Sequence, residues 1–381
     1  MRRFLKSKPA LTLITFILLV SAISVPLLRK SAHSHANSPT LTPTPTPPPT
    51  FSDLHVSGNQ LINVQGQTVL LHGVNRSGTE YMCVSGRGIF DGPSDAASVQ
   101  AIQGWHANVV RVPLNEDCWL NINGVPSKYA GTNYRNAIVK YVNTLNQNNL
   151  YAIIDLHWSA PGTIKATGLE PMPDASHATG FWKSVSTVFK NNNKTLFDLF
   201  SEPYPAQDQD TPAGWKCWKN GGSCQGIPFK TVGMQSLVNT VRSIGATNVI
   251  MLGGLEYSNS LSQWLTYEPT DPLNNLTASW HIYPHGNLCN TMTCYDQQEA
   301  PVASQVPLVA GEVGESNDGS VCGVTGTNVV LNWLDSHQAG YLAWVWDTWG
   351  TSCGDLSLIT DYNGTPKSPN GTNYKNHLQS L

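Results

Sequence analysis

Charge is scarce in this chain of 381 residues. Only 12% of the residues are charged and the net charge is −3 at pH 7, where about a quarter charged is ordinary for a globular protein. With neither sign in excess, nucleic acid and anionic lipid are not expected as partners. Several short patterns are missing as well. There is no Gly-x-Ser-x-Gly elbow, which excludes the serine nucleophile of the α/β-hydrolase type. No Cys-x-x-Cys pair occurs and no histidine is suitably interleaved with the cysteines, so neither a metal nor another cofactor is expected. The stretch Gly73-Val-Asn-Arg-Ser-Gly78 follows the first strand candidate without supplying a phosphate-binding glycine loop. That argues against a doubly wound open sheet.

What the chain does have is an apolar fraction of 40%, ample for a core, and twelve tryptophans. Tryptophan faces stack on sugar rings, but buried tryptophan is common in any core. The N-terminus is a targeting segment, to be kept apart from the fold. Arg2, Arg3, Lys6 and Lys8 precede an apolar run over 10–28, and Ser34-His-Ala36 offers a small-residue cleavage site. The run approaches the length of a membrane span, and Arg29 and Lys30 follow it directly. Residues 1–36 therefore read as a cleaved signal peptide or as an uncleaved anchor, and either places the remainder outside the cytoplasm, secreted or tethered to the cell surface. Residues 37–52 form a Pro/Thr-rich, semi-rigid spacer, and one globular domain is expected over 53–381.

Eight cysteines suit an oxidising compartment. Their number allows 105 connectivities. The expected pairs are Cys217–Cys224 and Cys289–Cys294 as local staples, with Cys83–Cys118 and Cys322–Cys353 joining adjacent loops.

A small hairpin is expected over 54–69, where apolar residues alternate between glycine turns. Eight apolar strand candidates follow, at 69–75, 108–114, 151–158, 195–203, 248–255, 279–283, 307–314 and 341–347. Helical periodicity appears between several of them, at 135–146, 181–189 and 231–244. Eight strands alternating with helices predict an α/β fold, a closed parallel (β/α)8 TIM barrel, with its active site at the C-terminal ends of the strands. Two glutamates fall at such ends, Glu202 in Phe-Ser-Glu-Pro203 and Glu312 in Ala-Gly-Glu-Val313. Two carboxyl groups across one cleft are the equipment for hydrolysing a glycosidic bond. Other polar or aromatic residues collect at the same ends: Arg111, Asp155, His157, Ser201, His281, Tyr283, Trp344 and Trp346. Taken singly, a buried arginine or histidine is usually structural. Their recurrence at one end of successive strands points to a site.

In this order, the motifs Arg111-Val-Pro, Asp155-Leu-His-Trp158, Ser-Glu202-Pro, His281-Ile-Tyr283, Gly-Glu312 and the strand-eight Trp344 resemble those of glycoside hydrolase family 5, the cellulases and related retaining β-glycanases. The resemblance covers 54–349. It implies Glu202 as acid/base and Glu312 as nucleophile, about 5–5.5 Å apart, and net retention through a glycosyl-enzyme. It implies that Arg111 and Tyr283 hold the nucleophile, that His157 and His281 position sugar hydroxyls or the acid/base, and that Trp344 is the aromatic floor under the attacked sugar. Trp346, two residues on, is a second floor candidate. The family's usual asparagine before the acid/base is Ser201 here, so the contact it makes to the sugar 2-hydroxyl passes to another group, is bridged by water, or is lost. The implied partner is a β-linked polysaccharide, with β-1,4-glucan first and mannan, xyloglucan, xylan and β-1,3-glucan behind it, acted on by a monomer. A non-catalytic glycan-binding barrel and a transglycosylase are the other readings.

The remaining acids have plainer expectations. Glu315 belongs to a loop, Glu256 ends strand five and borders the cleft, and Asp155 makes a structural hydrogen bond near His157. Glu80, Glu116 and Asp117 are expected as solvated loop charges. Trp119, Trp158, Trp215, Trp218, Trp264 and Trp349 are either sugar platforms or loop-core residues.

Overall fold

A computed structural model describes residues 49–350, 352 and 354–381. The expected targeting segment and most of the expected spacer therefore lie outside the described residues, as does Cys353 of the expected fourth disulfide. Among the described residues no helix is long and apolar enough to cross a membrane.

Eight parallel strands close into a barrel. They are β1 (His72–Asn75), β2 (Val109–Asn115), β3 (Tyr151–Trp158), β4 (Thr195–Asp198), β5 (Ile250–Gly253), β6 (Leu276–Ile282), β7 (Leu308–Val313) and β8 (Gly340–Ala343). Nearly every strand residue is buried, as expected where helices cover one face and the barrel interior the other. Alternation along each strand then sorts the side chains. Val110, Val112, Ala152, Ile154, Phe197, Leu252 and Trp280 pack outward into the core shared with the helices. Val109, Ile153, Leu196, Met251, Val309 and Leu342 fill the barrel interior. That interior layer continues onto Leu54 and Leu61 of an antiparallel hairpin, Leu54–Ser57 with Gln60–Asn63, which plugs the N-terminal end.

Two residues beyond that apolar layer, the period of two brings Arg111, Asp155 and Asp198 inward as the next layer. The polar site is thus a direct continuation of the barrel's packing. The main outer helices are amphipathic, for example Thr132–Gln147, which buries Tyr134, Ile138, Tyr141, Val142 and Leu145. Helix Thr325–Ser336 has a distant cap. The Glu315 carboxylate accepts from the Gly326 and Thr327 amides at 3.0 and 2.7 Å, so this acid serves the fold.

Three differences from the sequence reading are instructive. The stretch 230–232 begins no helix; Lys230–Val232 pairs with Gly221–Ser223, and the helix starts at Met234. The Cys217–Cys224 disulfide and the turn at Gly221, with φ 67°, set up that hairpin. Strand β8 stops at Ala343 rather than continuing to 347. The chain also closes with a helix, Asn370–Ser380, whose sequence is too polar to stand out. Its Tyr374 hydroxyl donates to the Gly73 carbonyl at 2.7 Å and anchors it to β1. Disulfides also join Cys83 to Cys118 and Cys289 to Cys294, and the three bridges fit an oxidising compartment.

Candidate active site

Arg111 is the hub. It is fully buried, and all five of its N–H donors are engaged. Nε donates to Asp198 at 3.1 Å. Nη1 donates to Asn75 at 3.0 Å and to Glu312 Oε1 at 2.9 Å. Nη2 donates to the Ser201 hydroxyl at 2.8 Å and pairs with Asp155. Burial opposes the guanidinium charge, but the three carboxylates outweigh it and hold Arg111 above its ordinary pKa. Burial likewise pushes Asp198 up to about 7, even beside Arg111. Arg111→Lys removes the planar fork that reaches these partners. Lysine keeps the charge but leaves buried acceptors without donors, at about 1–3 kcal/mol each, so Arg111→Lys is expected to lower the urea midpoint as well as kcat, measured by equilibrium unfolding and by initial rates.

Glu312 reaches the cleft through an irregularity. Plain alternation from Val309 would point residue 311 inward and Glu312 outward. The pairing register with β6 slips here, so that Trp280 faces Ala310 while His281 faces Glu312, and the pairing with β8 skips from Ala310 to Val313. The bulge re-aims Glu312 into the barrel. Gly311 at the slip has no room for a side chain, since a Cβ would lie 2.9 Å from Ser279 Oγ and 3.0 Å from His281 Nε2. Both Glu312 oxygens then have donors: Arg111 on Oε1, and the Tyr283 hydroxyl on Oε2 at 2.6 Å. Two donors, one of them a cation, fix the direction in which the carboxylate faces the cleft.

Glu202 is treated in the opposite way. Its side chain is 14% exposed, and burial raises its pKa to about 7 against the opposing charges of His157 and Arg111. One Glu202 oxygen lies 2.9 Å from His281 Nδ1. Burial lowers His281 to about 4, so this imidazole is neutral and supplies orientation without charge. Burial also works against the charge of His157, but Asp155, whose carboxylate is 3.1 Å from Nδ1, outweighs it and raises His157 to about 9. The His157 ring lies parallel to Trp344, 5.5 Å between centroids.

A Glu202 oxygen, a Glu312 oxygen and a His281 ring nitrogen all lie within 4.8 Å of one another. Such a trio is close enough to share a metal ion, yet the Arg111 cation already occupies Glu312 Oε1 and would repel one. The arrangement suits proton transfer and nucleophilic attack: one carboxyl with its pKa raised to about 7, one fixed by Arg111 and Tyr283, and the two close enough for a retaining pair.

The structure brings together Glu202, Glu312, Arg111, His157, Ser201, His281 and Tyr283, with Trp344 beside them. It separates Trp346, which is fully buried edge-on against Trp105. Because β8 ends at Ala343, strand alternation does not extend to residue 346. Ser201 is only 1% exposed and its hydroxyl accepts from Arg111, so it supports the arginine. Trp119, Trp215, Trp218 and Trp264 are loop-core residues whose indole N–H groups donate within the protein. Glu80, Glu116 and Asp117 are buried rather than solvated. Glu80 accepts from the Gly78 amide and the Ser77 hydroxyl, and burial raises it to about 7. Asp117 accepts from the Ala166 amide at 2.9 Å. One aromatic was missed by sequence reasoning. The Tyr81 hydroxyl is held by Asp91, itself paired with Arg76, and its ring lies 6.3 Å from Trp158 and 6.1 Å from Trp349. The signal available was Arg76 directly after β1, at a strand end like the others.

A model of the family described as cellulase (glycosyl hydrolase family 5) matches residues 62–350. A mannan endo-1,4-β-mannosidase from Salipaludibacillus agaradhaerens is 23% identical over 317 residues, covering 81% of this chain and 86% of the relative. A cellulase from a Thermoanaerobacterium species is 22% identical over 249 residues, 63% of this chain and 57% of the relative. Among solved structures, a β-glucanase from Saccharophagus degradans in complex with cellotetraose superposes with a TM-score of 0.64 at 19% identity, over 90% of this chain and 99% of that one.

Proposed function

This chain belongs to glycosyl hydrolase family 5 and is a glycoside hydrolase; from that membership we propose that it cleaves β-1,4-linked polysaccharide by double displacement, with Glu202 as acid/base and Glu312 as nucleophile. The observation that carries this reading is the pair of carboxyl groups facing each other within 4.8 Å, one neutral near pH 7 and one bound by Arg111 and Tyr283. In the first step a Glu312 oxygen attacks the anomeric carbon as the glycosidic bond breaks, and the Glu202 proton passes to the departing oxygen. In the second, Glu202, now a carboxylate, takes a proton from water, and that water displaces Glu312 from the sugar. Neutral His281 keeps the Glu202 carboxyl aimed, and Trp344 underlies the attacked sugar.

β-1,4-Glucan is the leading substrate. Mannan is a second reading with its own support. Glucose and mannose differ at C2, and the side chain expected to read that position, Ser201, is committed to Arg111. The relative aligned over 317 residues is named a mannosidase. Hydrolysis of a panel of soluble β-glycans with product analysis tests both. Release of oligosaccharides from glucan or mannan supports the proposal; binding without release favours a glycan-binding barrel. Export, with the Pro/Thr-rich segment 37–52 as spacer from the cell surface, fits the three disulfides and an extracellular polymer as substrate.

The pH dependence follows from Glu202. Its protonated form is the active one, and its pKa is raised to about 7. Activity is expected to fall as pH rises through about 7, seen as the alkaline limb of kcat/KM in the free enzyme. A limb that persists unchanged in Glu202→Gln belongs to another group.

A further inference from the structure

Strand β6 turns three polar side chains into the barrel. Leu276, Ala278, Trp280 and Ile282 face the helices, so Thr277, Ser279 and His281 point inward by the period of two. The Thr277 hydroxyl donates to the Pro307 carbonyl at 2.6 Å. Ser279 and His281 are also fully buried, yet neither Ser279 Oγ nor His281 Nε2 has a hydrogen-bond partner among the described residues. The proposed reaction uses the other ring nitrogen of His281, Nδ1, and gives these two atoms no task.

Both atoms crowd one point on β7. A Cβ on Gly311 would lie 2.9 Å from Ser279 Oγ and 3.0 Å from His281 Nε2. A polar atom buried without a partner is costly, and protein interiors pair nearly all of them. A serine hydroxyl rotates and either donates or accepts, so it suits a ring nitrogen in either state.

Which of the two it does is decided at the other side of the ring. Nδ1 lies 2.9 Å from a Glu202 oxygen and 3.7 Å from Glu312 Oε2. The ring is neutral, so one nitrogen carries the proton and the other is an acceptor. With the proton on Nδ1, His281 donates to one Glu202 oxygen. The acid's own proton then stays on the other oxygen, where it meets the departing group. With the proton on Nε2, Nδ1 is a bare acceptor that draws the Glu202 proton away from the substrate. In the second step Glu202 is a carboxylate, and the Nδ1–H form again matches it. The tautomer of a histidine is set by the bond its other nitrogen makes, so a donor on Nε2 serves both steps.

We infer that Ser279 is a positioning residue for this reaction: its hydroxyl donates to His281 Nε2, directly or across one water, fixes the Nδ1–H tautomer, and so keeps the Glu202 proton on the oxygen that faces the scissile bond. Gly311, with no side chain, lets the two groups meet beside it. The inference rests on the acid/base role proposed above for Glu202.

The test makes two measurements on wild type and on Ser279→Ala, which removes a single buried oxygen. In the first, nitrogen-15 NMR of histidine-labelled protein reads which ring nitrogen of His281 carries the proton, with the signal assigned by its loss in His281→Gln. Wild type is expected to show a protonated Nδ1 and a bare Nε2, and Ser279→Ala to populate the Nε2–H form. The second is kcat/KM on two substrates. One is a soluble β-1,4-glycan chosen by the panel, whose leaving alkoxide needs the proton. The other is the matching 2,4-dinitrophenyl β-cellobioside or β-mannobioside, whose leaving group does not, and which also reports a folded site. Ser279→Ala is expected to lose about tenfold or more on the polysaccharide, part of what a general acid contributes, and less than about twofold on the aryl glycoside. A wild-type proton on Nε2, a tautomer unchanged in Ser279→Ala, undiminished hydrolysis of polysaccharide, or equal loss on both substrates overturns the role of Ser279 and leaves that of Glu202 standing. A wild type that hydrolyses neither substrate overturns the reaction, and the role of Ser279 with it.

Discussion

Glu312→Gln is expected to reduce kcat on polysaccharide by on the order of 10^5-fold or more, the scale seen when a covalent nucleophile is removed. Both oxygens of Glu312 are held, one by Arg111 and one by Tyr283, so an amide fills the same space but lacks the charge that attacks the anomeric carbon. Folding should survive, because Arg111 retains its contacts with Asp155 and Asp198. Glu312→Gly goes further and leaves a hole on the attacking face. Azide entering that hole displaces the leaving group once, without a second displacement, and should restore turnover with an α-glycosyl azide as product. Product NMR distinguishes that outcome from residual hydrolysis. Activity within tenfold of wild type in Glu312→Gln would contradict the assignment.

Glu202→Gln is expected to behave differently in kind. General acid catalysis contributes about 10²–10⁴-fold, and the natural leaving group, a sugar alkoxide, needs all of it. A nitrophenolate leaving group does not, so the first step should proceed nearly normally with an activated aryl glycoside. The glycosyl-enzyme then accumulates, because no carboxylate remains to take the proton from water. In Glu202→Ala, azide should relieve that block by attacking from the face Glu202 has vacated, and the product is a β-glycosyl azide. The two glutamates therefore predict azides of opposite configuration. Exchange of the two outcomes would mean the roles are reversed, and the raised pKa of Glu202 beside neutral His281 would then belong to some other task.

Much of the barrel is legible in the sequence because its strands are buried on both faces and are short and apolar. Alternation of period two accounts for Arg111, Asp155 and Asp198 as one inward layer above Val109, Ile153 and Leu196. It also shows where such reasoning stops. Glu312 points inward only because the strand slips at Gly311, and a bulge leaves no clear mark beyond a glycine among apolar residues. Trp346 shares the parity of Trp344, but parity lapses once β8 has ended. Glu80, Glu116 and Asp117 look solvated in a loop sequence. Their partners, the Gly78, Ala160 and Ala166 amides, are collected from several turns by the tertiary fold. Ser201 shows the same gap in another form. Its departure from the family asparagine is visible in the sequence, whereas its commitment to Arg111 appears only in three dimensions.

The most direct test of the paired-carboxylate mechanism is the configuration of the first product. Proton NMR of a digest of soluble β-1,4-glucan or β-1,4-mannan, followed from mixing and before mutarotation, reads the anomer released at the cleaved bond. Double displacement across Glu202 and Glu312 predicts that the β-anomer appears first and the α-anomer only as mutarotation proceeds. An α-anomer formed first would mean a single displacement by water, for which carboxyl oxygens within 4.8 Å of each other leave too little room.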